Sequence, residues 1–247
     1  MPRAPLPPND MMAADDRTGW RVARAALVAT MLVVTAVWLL PLIAFVTGAY
    51  SSMPATFANA LRLLAYLTPV ALPVAIPIGL AIGVLAACGD RSTANRARSA
   101  VAVLAIAATI LASALLVWIA PSASQAFRDL AAPQGIASRV NTPGSIGDRL
   151  LRDEGWAILC GTGVLAAFAL CAAGAARGRV DVRIAAAAAS CGWMALYWPA
   201  NALALTRTLP IALAAWLPNL VYATAAIIVV LIGSYVSATP SSAGARP

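Results

Sequence analysis

The sequence predicts an all-α integral membrane protein with six transmembrane helices. Of its 247 residues, 62% are hydrophobic and 11% are charged, and the mean hydropathy is +0.84. Such a composition is typical of polytopic membrane proteins and not of soluble domains. The charged residues also fall between long apolar blocks, each near the ~20 residues that a helix needs to cross a bilayer. Six blocks qualify, over residues 25–50, 63–88, 101–120, 156–176, 184–205 and 211–236.

The segments outside these blocks are predicted to be tails and loops. Residues 1–20 are rich in proline and carry Asp15 and Asp16, which is typical of a flexible tail, and residues 238–247 form a second polar tail. Residues 121–155 are the longest polar stretch within the six-helix domain, which we place at 21–237. This stretch is too short to bury a sizeable core, although its end, SIGDRLLRDEGW, is suited to a short amphipathic helix leading into the fourth span.

The arginines predict the orientation in the membrane. Six spans place both termini on one side, and basic residues concentrate on the cytoplasmic side. The side that holds the termini carries eleven arginines, at positions 3, 17, 21, 24, 91, 96, 98, 177, 179, 183 and 246. The opposite side carries six, at positions 62, 128, 139, 149, 152 and 207. We therefore expect both termini to be cytoplasmic and the 121–155 loop to face outward.

The remaining ionisable residues argue against catalysis. All 17 basic residues are arginine, histidine is absent, and no apolar block carries an arginine or an acidic residue near its middle. Proton relays and membrane-embedded hydrolases usually require such residues. The four cysteines form no CxxC pair and lie in or beside apolar blocks, which favours buried thiols over a metal site. We expect no catalytic residue, metal or cofactor, and no nucleic-acid partner, because the net charge of +8 is divided among short arginine clusters.

The second apolar block contains the most distinctive stretch of the chain, LTPVALPVAIPIGLAIGVL from Leu67 to Leu85. A helical proline has no N–H for the carbonyl four residues earlier, and in lipid such a carbonyl must find another partner. Three prolines repeat every four residues and form one ridge: Pro69, Pro73 and Pro77. This ridge is a candidate gate or bending face, and a bent helix without motion is the alternative interpretation.

A second ridge of the same helix lies on the roughly opposite face and consists of small residues. Small side chains let a neighbouring helix approach closely, so this ridge is a candidate for helix packing. Its four members are Ala75, Gly79, Gly83 and Ala87.

The last two spans each contain a cluster of tryptophan, proline and asparagine. Trp198, Pro199 and Asn201 lie in the outer third of the fifth span and predict a helix break there. Pro210 is suited to the start of the sixth span. Asparagine and tyrosine side chains within spans usually hydrogen-bond between helices and less often contact a ligand. The sixth span then carries Trp216, Pro218 and Asn219.

The stretch LAAWLPNLVYATAAIIVVL, residues 213–231, resembles the last span of the LptF/LptG (YjgP/YjgQ) family of lipopolysaccharide-export permeases. The Leu67–Leu85 stretch, with its repeated Leu-Pro, is similar to the second span of that family. The number, order and orientation of the spans also agree with it, as does the outward loop between spans three and four. The family motif of the sixth span corresponds here to Trp216, Pro218 and Asn219.

The resemblance implies a half-transporter in the bacterial inner membrane. Such a permease subunit pairs with a like subunit, as a homo- or heterodimer, and a separate cytoplasmic ATPase powers the movement of lipopolysaccharide or a related lipid. This chain has no nucleotide-binding motif of its own. The loop between spans two and three is then the candidate for ATPase coupling, with Asp90, Arg91, Arg96 and Arg98. Arg62 and Arg207 are candidates for contact with lipid headgroups.

The chain departs from the family pattern in three places. The family has a β-jellyroll domain where this chain has only residues 121–155, and its coupling loop usually has an acidic residue at a position that Asp90 does not match. Family members also often have basic residues in the outer part of the first span, whereas residues 25–61 are uncharged here. A non-transporting scaffold or assembly subunit derived from the family is therefore the alternative function, and a membrane enzyme is the third.

Overall fold

The computed structural model describes residues 8–47, 56–88, 91–120, 122–123, 146–175 and 180–238. These residues contain no β-strand. Their helices are α1 (Pro8–Val46), α2 (Phe57–Ala87), α3 (Arg91–Arg96), α4 (Arg98–Ala114) with a following π-helical turn (Leu115–Ile119), α5 (Ile146–Ala175), α6 (Val180–Ala195), α7 (Tyr197–Leu205) and α8 (Ile211–Ala238). The all-α class is thereby confirmed for the described part of the chain.

Within the described residues, five helices are long and apolar enough to cross a membrane. They are Arg17–Val46 of α1, Phe57–Ala87, Arg98–Ile119, Asp153–Ala175 of α5 and Ile211–Ile232 of α8. Large apolar side chains on the outer faces of α1, α4 and α8 are exposed, including Leu32, Ile106 and Ile227. Exposed apolar faces of this length are expected where lipid is the solvent, so these helices indicate a membrane protein.

Helix α2 is the centre of the bundle. It packs against α1, α4, α5 and α6. In the most apolar part of α2, 67% of the residues are buried, compared with 18% in α1, 11% in α4 and 22% in α8. Pro73 and Pro77 are among the fully buried side chains. A helix with three internal prolines therefore stays continuous where neighbours enclose it on most sides.

Helices α1 and α2 form a tightly packed antiparallel pair. Gly83 lies against Ala26 and Gly79 lies against Thr30, so the numbering rises along one helix as it falls along the other. A Cβ atom at Gly79 would lie 2.8 Å from the Cα of Thr30, and one at Gly83 would lie 2.6 Å from the Cα of Ala26. Both neighbours are main-chain atoms, which cannot move aside as a side chain can. Only glycine fits at these two positions.

The fifth predicted span, 184–205, is not a single helix. Helix α6 ends at Ala195 and α7 begins at Tyr197, after a turn at Leu196. Pro199 supplies the physical reason, because it has no N–H to donate to the Ala195 carbonyl. At 16 and 9 residues, α6 and α7 are about 24 Å and 14 Å long, so neither alone crosses a hydrocarbon core of ~30 Å.

Two other boundaries differ from the sequence-based expectation. Helix α1 begins at Pro8, so residues 8–20 of the predicted tail are helical. Helix α5 begins at Ile146, which places the amphipathic end of the predicted 121–155 loop in the same helix as the fourth span. Residues 124–145 of that loop and the predicted tail from residue 239 onward lie outside the described residues.

Candidate functional site

The side chain of Asn219 in α8 joins three helices. Its Oδ1 accepts a 3.0 Å hydrogen bond from Nε1 of Trp193 in α6, and its Nδ2 donates a 2.7 Å hydrogen bond to the carbonyl of Ala157 in α5. Asn219 is only 4% exposed, and Trp193 and Ala157 are fully buried. Burying any of these polar atoms away from water without a hydrogen-bond partner would lower the stability of the fold. The sequence singles out Asn219 but not the two groups that it bonds.

Gly161 creates the space for this junction. A Cβ atom at position 161 would collide with Cζ2 of Trp193, with Cη2 at 2.9 Å and the Oδ1 of Asn219 at 3.1 Å. The indole ring therefore lies directly on the backbone of α5. The sequence carries a signal for this contact, because Trp193 lies in the middle of an apolar block, far from the interfaces where tryptophan is common. Such an indole needs a buried partner for its N–H.

Tyr222 extends the junction by one helical turn. Its hydroxyl donates a hydrogen bond to the carbonyl of Ala189 in α6. Its ring meets Phe168 of α5 edge to face, with centroids 5.3 Å apart and an interplanar angle of 85°. Helix α8 therefore contacts both α5 and α6 through Asn219 and again through Tyr222. Tyr222 also belongs to the main hydrophobic core that includes residues of α2, such as Leu80 and Val84.

Pro218 and Trp216, the other two residues of the α8 motif, lie in different surroundings. Pro218 is fully buried beside Asn219, and its missing N–H leaves the carbonyl of Ala214 without its helical donor. Trp216 packs on a small second cluster between α7 and α8 that contains Ala200 and Ala215. The motif thus connects α8 to α7 on one side and to α5 and α6 on the other. The side chains of Trp198 and Asn201 lie outside the described residues.

Both predicted ridges of α2 lie inside the bundle. Pro73 and Pro77 are buried, and Pro69 is half-buried. The four small residues of the second ridge are buried: Ala75, Gly79, Gly83 and Ala87. The two glycines of that ridge are the ones that meet α1.

The predicted coupling loop contains the short helix α3. Ala94 and Ala97 are buried in the main core together with Val22 of α1 and Val101 of α4. The arginines on this segment point outward, and all three are exposed: Arg91, Arg96 and Arg98. The segment therefore packs on the bundle through alanine and presents positive charge on its surface. Asp90 lies outside the described residues.

Arg62 and Arg207 are exposed on different elements. Arg62 lies near the start of α2, and Arg207 lies in the turn between α7 and α8. Arg207 has a φ of 62°, which is the left-handed conformation usually taken by glycine. The N–H of Arg207 bonds to the carbonyl of Ala204 at 3.0 Å, and the N–H of Thr208 bonds to that of Leu203 at 2.9 Å. This pattern is the Schellman motif, with arginine at the glycine position.

The arrangement offers close helix packing and interhelical hydrogen bonds. In the part of the chain that the structure describes, no group of three or more histidine, cysteine, aspartate or glutamate side chains could hold a metal ion. Cys160 and Cys191 are exposed, Cys171 is half-buried and Cys88 is buried, and none of the four forms a disulfide. Fold and site together define an all-α protein with several helices of membrane-crossing length. Comparison with protein-family models and with curated proteins found no match for the sequence.

Proposed function

We propose that this protein is the transmembrane subunit of an ABC-type lipid exporter of the LptF/LptG kind, residing in the bacterial inner membrane. It handles lipopolysaccharide or a related glycolipid, pairs with a like permease subunit and draws energy from a separate cytoplasmic ATPase. In this proposal α6 and α7 together make the fifth of six crossings, both termini are cytoplasmic, and the protein has no catalytic role of its own.

The supporting observation is the position of the two segments that carry the family resemblance. One of them is α2, the most enclosed helix, and the other is α8, whose Asn219 connects α5 and α6. A transporter must repack helices without losing its fold. The glycine contacts between α1 and α2 supply a surface that can repack, and the internal prolines of α2 supply a helix that can bend. The Asn219 junction supplies a part of the bundle that stays fixed.

Helix α3 supports an ATPase partner in this proposal. It follows the end of α2 after a short connection and contacts α1 and α5. Arg91, Arg96 and Arg98 are exposed on the side that the arginine distribution assigns to the cytoplasm. A force applied to this segment can reach α2 through the hydrophobic core, because Cys88 and Ala94 belong to the same buried cluster.

The test is affinity purification of the full chain from its native membrane in mild detergent. We expect an ATPase subunit and a bound glycolipid to copurify, both identified by mass spectrometry, and ATP turnover to be measurable in the complex. The variant R91Q/R96Q is expected to lose the ATPase while keeping the glycolipid. Recovery of a folded chain with neither an ATPase nor a glycolipid would refute the exporter.

A scaffold or assembly subunit is the second candidate, favoured by the short 121–155 segment in place of a lipid-passing domain. The variant P73A/P77A separates the two functions. Alanine restores two backbone N–H donors to α2 without adding volume to the buried sites, so the fold is retained. A scaffold tolerates a stiffer α2, whereas in an exporter we expect ATP-dependent lipid release to fall about fivefold or more. V70L, on the exposed side of α2, is the control.

A further inference from the structure

We propose that the groove between α1 and α2 binds one anionic phospholipid, with its phosphate on Arg21 and Arg24 and one acyl chain along the apolar part of the groove. The proposal requires only that these two helices lie in a membrane. It depends on neither transport nor an ATPase.

The groove is a cavity of about 460 Å³ on the surface of the α1–α2 pair. This volume lies within the range of ordinary ligand sites. Its lining combines small alanine side chains of both helices, including Ala86, with the larger apolar side chains of Val28, Leu32 and Ile82. Apart from the two arginines, the lining is therefore apolar.

The α1 side of the groove has its charge at one end. Arg21, Arg24, Val28 and Leu32 are three or four residues apart and so share one face of the helix. From Arg21 to Leu32 the helix rises about 16 Å. That distance is close to half of a ~30 Å hydrocarbon core. With the arginines at headgroup level, the apolar part of the groove is therefore one leaflet deep.

The two arginines favour an anionic lipid over another helix as the occupant. Both side chains are exposed, and neither has an ion-pair partner among the side chains that the structure describes. An added apolar helix would cover Val28 and Leu32 but leave two guanidinium groups uncompensated. A phosphate accepts several hydrogen bonds from a guanidinium fork and neutralises charge, and its acyl chain fills the remainder. Arginine clusters at the cytoplasmic end of a span attract anionic lipid for the same reason.

The experiment is native mass spectrometry of the purified full chain with added phosphatidylglycerol or zwitterionic phosphatidylcholine. We expect preferential retention of phosphatidylglycerol, about fivefold weaker for each of R21Q and R24Q and weaker still for R21Q/R24Q. R17Q is the matched control, because Arg17 is exposed one turn earlier on α1 and does not line the groove. It should stay within about twofold of the parent protein.

A second variant tests the acyl-chain part of the site. A86L keeps both arginines and adds volume to the lining of the groove at an exposed position, so it should weaken phosphatidylglycerol retention without changing helix content by circular dichroism. Inorganic phosphate in excess should not displace the lipid. Equal retention of the two lipids, equal losses in R17Q and R21Q, or full retention in A86L would each overturn the site. None of these outcomes bears on ATPase copurification, so the exporter proposal stands or falls separately.

Discussion

The Nδ2 atom of Asn219 donates a 2.7 Å hydrogen bond to the main-chain carbonyl of Ala157, a residue 62 positions earlier in the chain. The same side chain accepts a hydrogen bond from the indole N–H of Trp193, so one buried amide bonds to groups on two other helices. Asparagine is suited to this position because its side chain carries a donor and an acceptor on one planar group. An ionised aspartate has acceptors only and leucine has neither a donor nor an acceptor, so neither satisfies both partners.

Replacing Asn219 by alanine should destabilise the protein by about 1–2 kcal/mol, because the Trp193 N–H loses its buried acceptor. Thermal unfolding in detergent measures the change. The control is Thr224→Ala, which removes an exposed hydroxyl that bonds only within its own helix at Leu220 and should cost less than about 0.5 kcal/mol. If Asn219→Ala and Thr224→Ala unfold at the same temperature, the junction contributes nothing.

Gly161→Ala should destabilise by about 1–3 kcal/mol, because its methyl group would collide with the buried indole of Trp193. Gly163 lies two residues along the same helix and has open space around it. Gly163→Ala should therefore leave stability unchanged or raise it by up to about 1 kcal/mol through helix propensity. Urea titration of both variants in detergent, followed by circular dichroism, makes the comparison. Equal effects of the two substitutions would contradict the assigned packing.

The sides of the membrane on which residues 96 and 207 lie test the number of crossings. If α6 and α7 together cross the membrane, these two residues lie on opposite sides, whereas five crossings place them on the same side. In a variant without the four native cysteines, a membrane-impermeant maleimide should label cysteine at 207 in intact spheroplasts and cysteine at 96 only after lysis. The same result at both sites, whether labelling before lysis or only after it, would contradict the six-span topology.

Arg207→Gly should raise the free energy of unfolding by about 0.5–1 kcal/mol, because glycine adopts the left-handed conformation without the Cβ penalty while gaining some unfolded-state entropy. Arg207→Ala keeps the Cβ and should give no gain. Differential scanning fluorimetry distinguishes the two. A more stable Arg207→Gly protein with weaker, salt-sensitive glycolipid binding would assign this arginine to headgroup contact; unchanged binding would remove it from the lipid site.

The apolar blocks predicted most of the helices because length and composition fix what crosses lipid. Asn219 could be identified because a polar amide stands out within an apolar span, and the small ridge of α2 because its members repeat every four residues along one face. The partners Gly161 and Ala157 could not be identified, and the position of Trp193 indicated only that its indole needs a buried partner, because a contact between residues on three helices depends on their rotation and register. The start of α1 at Pro8 could have been predicted, because proline at the first position and Asp10 in the first turn both favour a helix start. The high proline content of residues 1–20 favoured a flexible tail instead.

The contact between the Trp193 indole and the Gly161 backbone fixes the angular setting of α5. Turning α5 by one residue, about 100°, would bring the side chain of Cys160 or Thr162 beneath the ring and separate Asn219 from the Ala157 carbonyl. Rotation of α5 about its axis would therefore break its contacts with both α6 and α8. The α1–α2 seam has no hydrogen bond between the helices at Thr30, whose hydroxyl bonds to Ala26 within its own helix. Its register is set instead by Gly79 and Gly83, where the main chain of α1 leaves no room for a side chain. Motion of α1 against α2 is therefore limited by the shape of the contact, whereas motion of α5 against α8 also breaks a buried hydrogen bond.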